Sequence, residues 1–423
     1  MKSVILRFLM STLLLVGCAS ANAATMDITA SFSPSMENPE NNTFTNTTKQ
    51  SGYCSTDPGE CIENNVFSIS MGEITASLAT SGIIANSTPR MGMYYKMPGA
   101  WRNVTATNKD TGSQVTISFR SNAFSAQYNT NSDWTITKYN EAWNGESFVY
   151  APSPCGYSGV GKYTPKFYMF MWKWPSSDAA CYKTATKDLT GEPYLINNTS
   201  LGYELKTPDP LKMESGIYTG RLALRVGPGG DIDFGDNFQA SDNELDINFT
   251  LTVNHELKLT TTPENRAVSL QPCAPGRICS EEEGSANWER WMVNRITPEL
   301  TGKSNFNLSS SGEFTVYLQC EQQSGSDCAL KSDNTPSQTV PVRTLLTLPE
   351  NIIDHSTGST VSKRRLTTGK DLTKNVFTTK SFGQNRAGSI EFLVGQKDVD
   401  TMLKTRPDRY RGAVTVIFDP DIY

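Results

Sequence analysis

The sequence is poor in the groups that most enzyme chemistry needs. Histidine occurs twice in 423 residues, as His255 and His355, which removes most His-based metal sites and most nucleophile–histidine relays. Charged residues make up 19% of the chain and the formal charge is -5, with no long basic run; the electrostatic footprint of nucleic-acid binding is missing. Beyond the N-terminus no stretch reaches the ~18 consecutive apolar residues of a membrane-spanning helix. Gly 31 and Pro 22 are ordinary shares, so collagen-like and linker-dominated chains are excluded. There is no G-x-S-x-G, H-E-x-x-H, phosphate-binding loop or dinucleotide fingerprint. Neither a cofactor nor a reaction is implied.

The N-terminus is built for export. Lys2 and Arg7 precede a short apolar run, followed by Ala19-Ser20-Ala21-Asn22-Ala23, the pattern of a secretory signal over residues 1–23 cut after Ala23. Leu15-Val16-Gly17-Cys18 is a competing lipobox, in which Cys18 becomes a lipidated N-terminus. The other eight cysteines are Cys54, Cys61, Cys155, Cys181, Cys273, Cys279, Cys320 and Cys328. An even count in an exported chain predicts disulfides. Neighbours in sequence give the simplest pairing, although spacing alone leaves the connectivity open. Zinc is disfavoured, because no spacing is C-x2-C and no histidine lies nearby.

Period-2 alternation dominates what remains. It runs through Val115–Phe119, Tyr218–Val226, Ile247–Val253, Phe314–Cys320 and Ile390–Val394, each with one apolar and one polar face. Phe167–Trp174 is apolar on both faces apart from Lys173 and predicts a strand covered on both sides. A short helix is expected around Ala286–Val293. The fold class is all-β, with two β-sandwich domains meeting near Asn254–His255: residues 24–253 and 254–423. Asp231, Asp233 and Asp236 could collect calcium, but the sixth-position glycine and twelfth-position glutamate of a calcium loop are absent, and a polar turn is the simpler reading. Five of the seven tryptophans lie in the first half. Trp172 and Trp174 are expected in the core. Trp101 and Trp143, beside Gly, Pro and polar residues, are the candidates for stacking on a sugar.

The C-terminus carries the most specific pattern. Tyr410, Gly412, Val414, Val416 and Phe418 alternate to within five residues of Tyr423. This strand, with Ser51-Gly52-Tyr53-Cys54 through Cys61 and the Gly229–Gly235 turn, resembles the two-domain tip adhesins of bacterial chaperone–usher fimbriae. The resemblance implies that 24–253 is a receptor-binding sandwich. It implies also that 254–423 is an incomplete immunoglobulin-like pilin domain, completed by a strand donated in trans. Partners implied are a periplasmic chaperone, an outer-membrane usher, an adjacent fimbrial subunit and a host or surface glycan or protein receptor. The chain would be exported through the periplasm to the fimbrial tip at the cell surface. Tyr410, Gly412, Val414, Val416, Phe418 and the Tyr423 carboxylate would meet the chaperone or donor strand.

The second cysteine pair of the C-terminal half departs from simpler pilins, and the lipobox is unexpected in such a subunit. Two alternatives remain. Met26, Ile28, Ala30 and Phe32 alternate after the signal site and could serve as a donor strand, making the chain a minor fimbrial subunit without a receptor. The other is a secreted carbohydrate-active enzyme or surface lipoprotein with a self-sufficient fold.

Overall fold

The computed structural model describes residues 23–38, 41–191, 194–370 and 375–420. Residues 1–22 of the signal segment, Cys18 among them, and Tyr423 lie outside them. Strand accounts for 47% of the chain and helix for 12%, so the protein is all-β, and its apolar side chains gather into two large cores. One draws on residues from Met26 to Val253, the other on residues from Leu300 to Val399. No helix among the described residues is long and apolar enough to cross a membrane.

In the first half the alternating segments join into a branched sheet of twelve strands. Gly216–Arg225 pairs antiparallel with Glu244–Val253, setting Leu224 opposite Leu245 and Leu222 opposite Ile247. Alternation along Glu244–Val253 is complete, with Leu245, Ile247, Phe249, Leu251 and Val253 all buried. A strand with one apolar and one polar face can bury only the apolar one. The sheet branches at Gln114–Asn129, which carries Arg102–Asn108 on its first half, Phe167–Lys173 on its second half, and Ile196–Lys206 along much of its length. Phe167–Lys173 is held between Gln114–Asn129 and Gly156–Thr164, and five of its seven residues are buried. This is the doubly covered strand that its sequence predicts.

The N-terminal strand Ala24–Phe32 lies parallel to Glu244–Val253, with Met26 opposite Ile247 and Phe32 opposite Val253. Met26, Ile28, Ala30 and Phe32 are each at most 6% exposed. The segment expected as a free donor strand under the minor-subunit alternative is therefore consumed by its own domain. Its apolar row matches an apolar row in the same chain, and that internal match is closed.

The second half is a sandwich of two sheets. One orders Leu257–Thr260, Glu299–Ser310, Gly383–Val394, Thr339–Thr347 and Asp327–Ser332; the other orders Ile352–Asp354, Val376–Thr379, Glu313–Cys320 and Val414–Asp419. The expected helix is longer than Ala286–Val293. It runs Glu281–Asn294 because Ser280 and Glu283 form a capping box, and Arg295 ends it in the left-handed conformation at φ 59°.

Between the cores, Asn254–Glu256 links the strands Glu244–Val253 and Leu257–Thr260. His255 Nε2 meets the Met213 carbonyl at 2.8 Å and Nδ1 meets Ser311 Oγ at 3.3 Å, so one ring touches both halves.

Candidate functional site

The C-terminal segment begins as part of one sheet and finishes in the other. Tyr410–Arg411 pairs with Asp327–Ser332, and Val414–Asp419 pairs with Glu313–Cys320. The single alternating strand expected from Tyr410 to Phe418 is thus broken at Gly412–Ala413. Gly412 sits where the chain passes close under a neighbouring strand: a Cβ there would lie 2.7 Å from the Ala329 carbonyl oxygen. The Cys320–Cys328 disulfide joins the two partner strands beside this crossing.

Register then exposes an asymmetry. Val316 pairs with Phe418, Leu318 with Val416, and Cys320 with Val414, so these side chains point to the same face of the sheet. Val316 and Leu318 are 0% and 2% exposed. Val416 and Phe418, on the same apolar row, are only half-buried, as is Val414. Phe418 reaches Phe306 and Phe314, with ring centroids 5.4 and 6.0 Å away. What differs is the neighbour: Val414–Asp419 is the last strand of its sheet, and among the described residues nothing pairs with its outer edge. An apolar row at an unpaired edge invites another strand, whose backbone would take up the free N–H and C=O groups. Tyr410 does not belong to that edge; its hydroxyl is 2.8 Å from Thr405 Oγ1 and its ring packs on the second core.

The two tryptophan candidates part company. Trp143 is 1% exposed; its Nε1–H donates to the Tyr128 hydroxyl at 3.2 Å, and its ring packs edge-on against Phe148. It is a core residue and offers no face to a sugar, in correction of the sequence expectation. The sequence context misled because the polar neighbours Asn144 and Glu146 belong to a surface loop from which the indole turns inward. Trp101 does lie at the surface, half-buried. Lys206 Nζ stands 4.0 Å and the Arg120 guanidinium 5.4 Å from its ring centroid. Cations already occupy the ring that would stack on a sugar. Trp172 and Trp174 are buried, as expected.

The acidic turn is spent on arginines. Asp233 accepts from Arg90 Nη1 at 3.0 Å and from the backbone N–H of Gly229 and Gly235; Asp236 pairs with Arg90 and Asp231 with Arg102. The Arg90 guanidinium holds the Asp236 carboxyl below its ordinary value. No group of three His, Cys, Asp or Glu among the described residues could hold a metal ion.

All four sequence-neighbour cysteine pairs form disulfides. One feature escaped the sequence reading altogether. Lys183, 2% exposed, donates to the carbonyls of Gly145 and Ser147 at 2.9 Å each and clamps the loop after Trp143. Burial pulls its ammonium down to about 8. A lone lysine in a strand of four residues gives no signal of this; only packing does.

No protein-family model matches the chain, and no curated protein is similar to it. Among solved structures, a chaperone–tip adhesin complex of CFA/I fimbriae aligns over 95% of this chain and 97% of its own, at 11% identity and TM-score 0.25. CfaE, the adhesive subunit of CFA/I fimbria of enterotoxigenic Escherichia coli, aligns over 94% and 92%, at 8% identity and TM-score 0.22. The CsuC–CsuE chaperone–tip adhesion subunit complex of Acinetobacter baumannii aligns over 94% and 98%, at 10% identity and TM-score 0.20. Scores of this size carry no weight for function.

Proposed function

We propose that the chain is a non-enzymatic fimbrial tip adhesin. Its first domain binds a glycan or protein receptor, and its second is held in the fibre by a strand supplied in trans. The observation that carries this reading is the half-buried row Val414, Val416 and Phe418 at an unpaired edge, where Val316 and Leu318, the register partners of Phe418 and Val416, are fully buried. Donor-strand completion by a periplasmic chaperone, and then by a neighbouring subunit at the usher, is the chemistry that such an edge invites. The N-terminal strand supports the terminal position. Among the described residues the alternating strand Ala24–Phe32 is paired and buried in its own core, and a strand so held is not free for donation to another subunit. The enzyme alternative gains no support from the site: its carboxylate cluster is paired with Arg90 and Arg102.

The test is co-expression of the mature chain with pilus chaperones in a bacterial periplasm, followed by affinity capture of the chaperone. A stoichiometric complex is expected, lost in Val416→Asp, whose carboxylate would face Leu318 and the incoming strand. A wild-type chain that stays monomeric and ignores every chaperone, or a Val416→Asp chain captured as well as wild type, refutes the proposal.

A further inference from the structure

The open side of the second sandwich runs into a cavity at the domain junction. Two edges border the opening. Val414–Asp419 is the end strand of one sheet and Leu257–Thr260 of the other. Across the sandwich the Phe418 ring meets Phe306, which belongs to the strand paired with Leu257–Thr260. Leu259 stands opposite Leu308, so the two side chains share a face, yet Leu308 is 1% exposed and Leu259 40%. The second edge thus repeats the asymmetry of the first: the register partner is buried and the outer side chain is open.

Both edges reach the junction at the same end. Pro420, which follows the last strand, and Leu257, which begins the other edge, line one cavity of about 750 Å³ together with Met213 of the first half. That volume is within the range of ligand sites. Its charge is one-sided. Glu214, Glu256 and Glu313 line it against a single lysine, Lys212, and the His255 ring, which burial disposes to the neutral form. Glu214 accepts from the Thr111 hydroxyl; Glu313 accepts from Thr378 Oγ1 at 2.8 Å and meets His355 Nδ1 at 3.2 Å. None of the three carboxylates meets a lysine or arginine among the described residues. Glu313 lies two residues before Thr315, the register partner of Asp419, and Glu256 directly precedes Leu257, so these two flank the end of the opening. Glu214 reaches it from the first half.

Strand direction connects the opening to these charges. Val414–Asp419 runs toward the junction, and antiparallel pairing makes the more stable ladder. A strand laid antiparallel beside it begins at Pro420 and runs away from the cavity, so its N-terminal end lies among the carboxylates. The opposite sense would aim its last carbonyl groups at them, negative toward negative. An alternating run that opens directly after a signal cut, like Ala24–Phe32, starts beside a free α-amino group, which is largely protonated at neutral pH.

We infer that the junction cavity receives the N-terminal ammonium group and first residues of the strand donated in trans. Glu256 and Glu313 are the charge partners of the ammonium, Glu214 adds a contact from the first domain, and Met213 and Leu257 offer apolar surface to the first side chain. The inference rests on the adhesin reading. It adds to that reading the orientation of the donor and a contact between the donor and both domains.

The experiment uses the full mature chain bound to its chaperone. The subunit next to it is identified in isolated fibres, and a synthetic peptide of that subunit's first dozen mature residues is made in three forms: with a free amine, N-acetylated, and free but preceded by a Gly-Ser extension that carries the amine past the cavity. Competition against the chaperone gives the relative affinity of each. The free-amine peptide should bind about tenfold more tightly than the acetylated one, the scale of a hydrogen bond to a charged group, and the extended form should match the acetylated one. Glu256→Gln with Glu313→Gln should abolish that preference, whereas Glu289→Gln, on the helix Glu281–Asn294, should keep it. Capture by the chaperone shows each variant to be folded. Equal binding of the free and acetylated forms overturns the inference, and so does a preference that survives in the double variant. In both cases the peptides have displaced the chaperone, and the adhesin reading stands. A chain that forms no chaperone complex, or whose complex no peptide displaces, removes that reading and the inference with it.

Discussion

Replacing Trp143 separates a core indole from a receptor contact, and the structure sets the scale. The side chain is 1% exposed, lies 5.3 Å from Phe148 and 5.9 Å from Tyr128 between ring centroids, and donates a hydrogen bond to the Tyr128 hydroxyl. Truncating a buried tryptophan to alanine costs about 3–5 kcal/mol through lost burial and the cavity left behind. The Tyr128 hydroxyl, buried and among the described residues hydrogen-bonded only to this indole, would lose its partner at a further cost of about 1–3 kcal/mol. Trp143→Ala should therefore remove roughly 4–8 kcal/mol, most of what a domain has. With a urea m-value near 2–3 kcal/mol/M, even the lower bound moves the first domain's unfolding midpoint down by about 1.3–2 M. Trp143→Phe keeps much of the apolar volume but orphans the same hydroxyl, and should cost about 1–3 kcal/mol. Trp101→Ala, at the surface under two cations, should cost no more than about 1–2 kcal/mol. The assay is equilibrium urea unfolding followed by near-ultraviolet circular dichroism. A Trp143→Ala chain that unfolds at the wild-type midpoint yet loses ligand would refute the placement of this residue in the core.

Three other outcomes are expected. Removing the Cys155–Cys181 disulfide, whose cysteines are 26 residues apart, frees chain entropy worth about 3.5 kcal/mol in the unfolded state; Cys155→Ser with Cys181→Ser should lower the first domain's stability by about that amount in the same urea assay. His255 is neutral-favouring in the folded chain because burial pulls its pKa below the ordinary value, against weaker support from the Met213 carbonyl. The unfolded chain therefore binds the extra proton, and stability should be full above the ordinary histidine pKa and fall as pH drops through it towards the lowered folded value. Thermal melts from pH 7.5 to 5 should show that slope, and His255→Gln should flatten it. Finally, the mature chain mixed with a groove-open pilin should transfer no strand, because Ala24–Phe32 is already paired along its length; a complex detected by size-exclusion chromatography would restore the minor-subunit alternative.

The sequence made the strands legible wherever one face of a segment had to be buried. Period-2 alternation in Glu244–Val253, Gly216–Arg225 and Glu313–Cys320 states which residues turn inward without any knowledge of the partner, because pleating alone sends neighbours to opposite faces. The two apolar faces of Phe167–Lys173 likewise announce cover on both sides. Cysteine count and the leader pattern are the grounds for expecting export; the helix expected at Ala286–Val293 was placed too late, because the Ser280–Glu283 capping box fixes its start.

Pairing, by contrast, belongs to tertiary structure. Ala24–Phe32 reads identically as a donor for another subunit or as a strand of its own domain; only its parallel register with Glu244–Val253, more than two hundred positions away, decides between them. The same holds for Trp143, whose polar sequence neighbours conceal an indole turned inward onto Tyr128, and for Gly412, which stands where one pairing ends and where the Ala329 carbonyl leaves no room for a Cβ. The cavity at the domain junction is assembled from residues between 111 and 420, a distribution with no motif. Alternation is a local property of the backbone and is written residue by residue. Which edges stay open, which carboxylates gather at a junction and which ring is covered depend on segments brought together from far along the chain, and those were decided only when the strands had found one another.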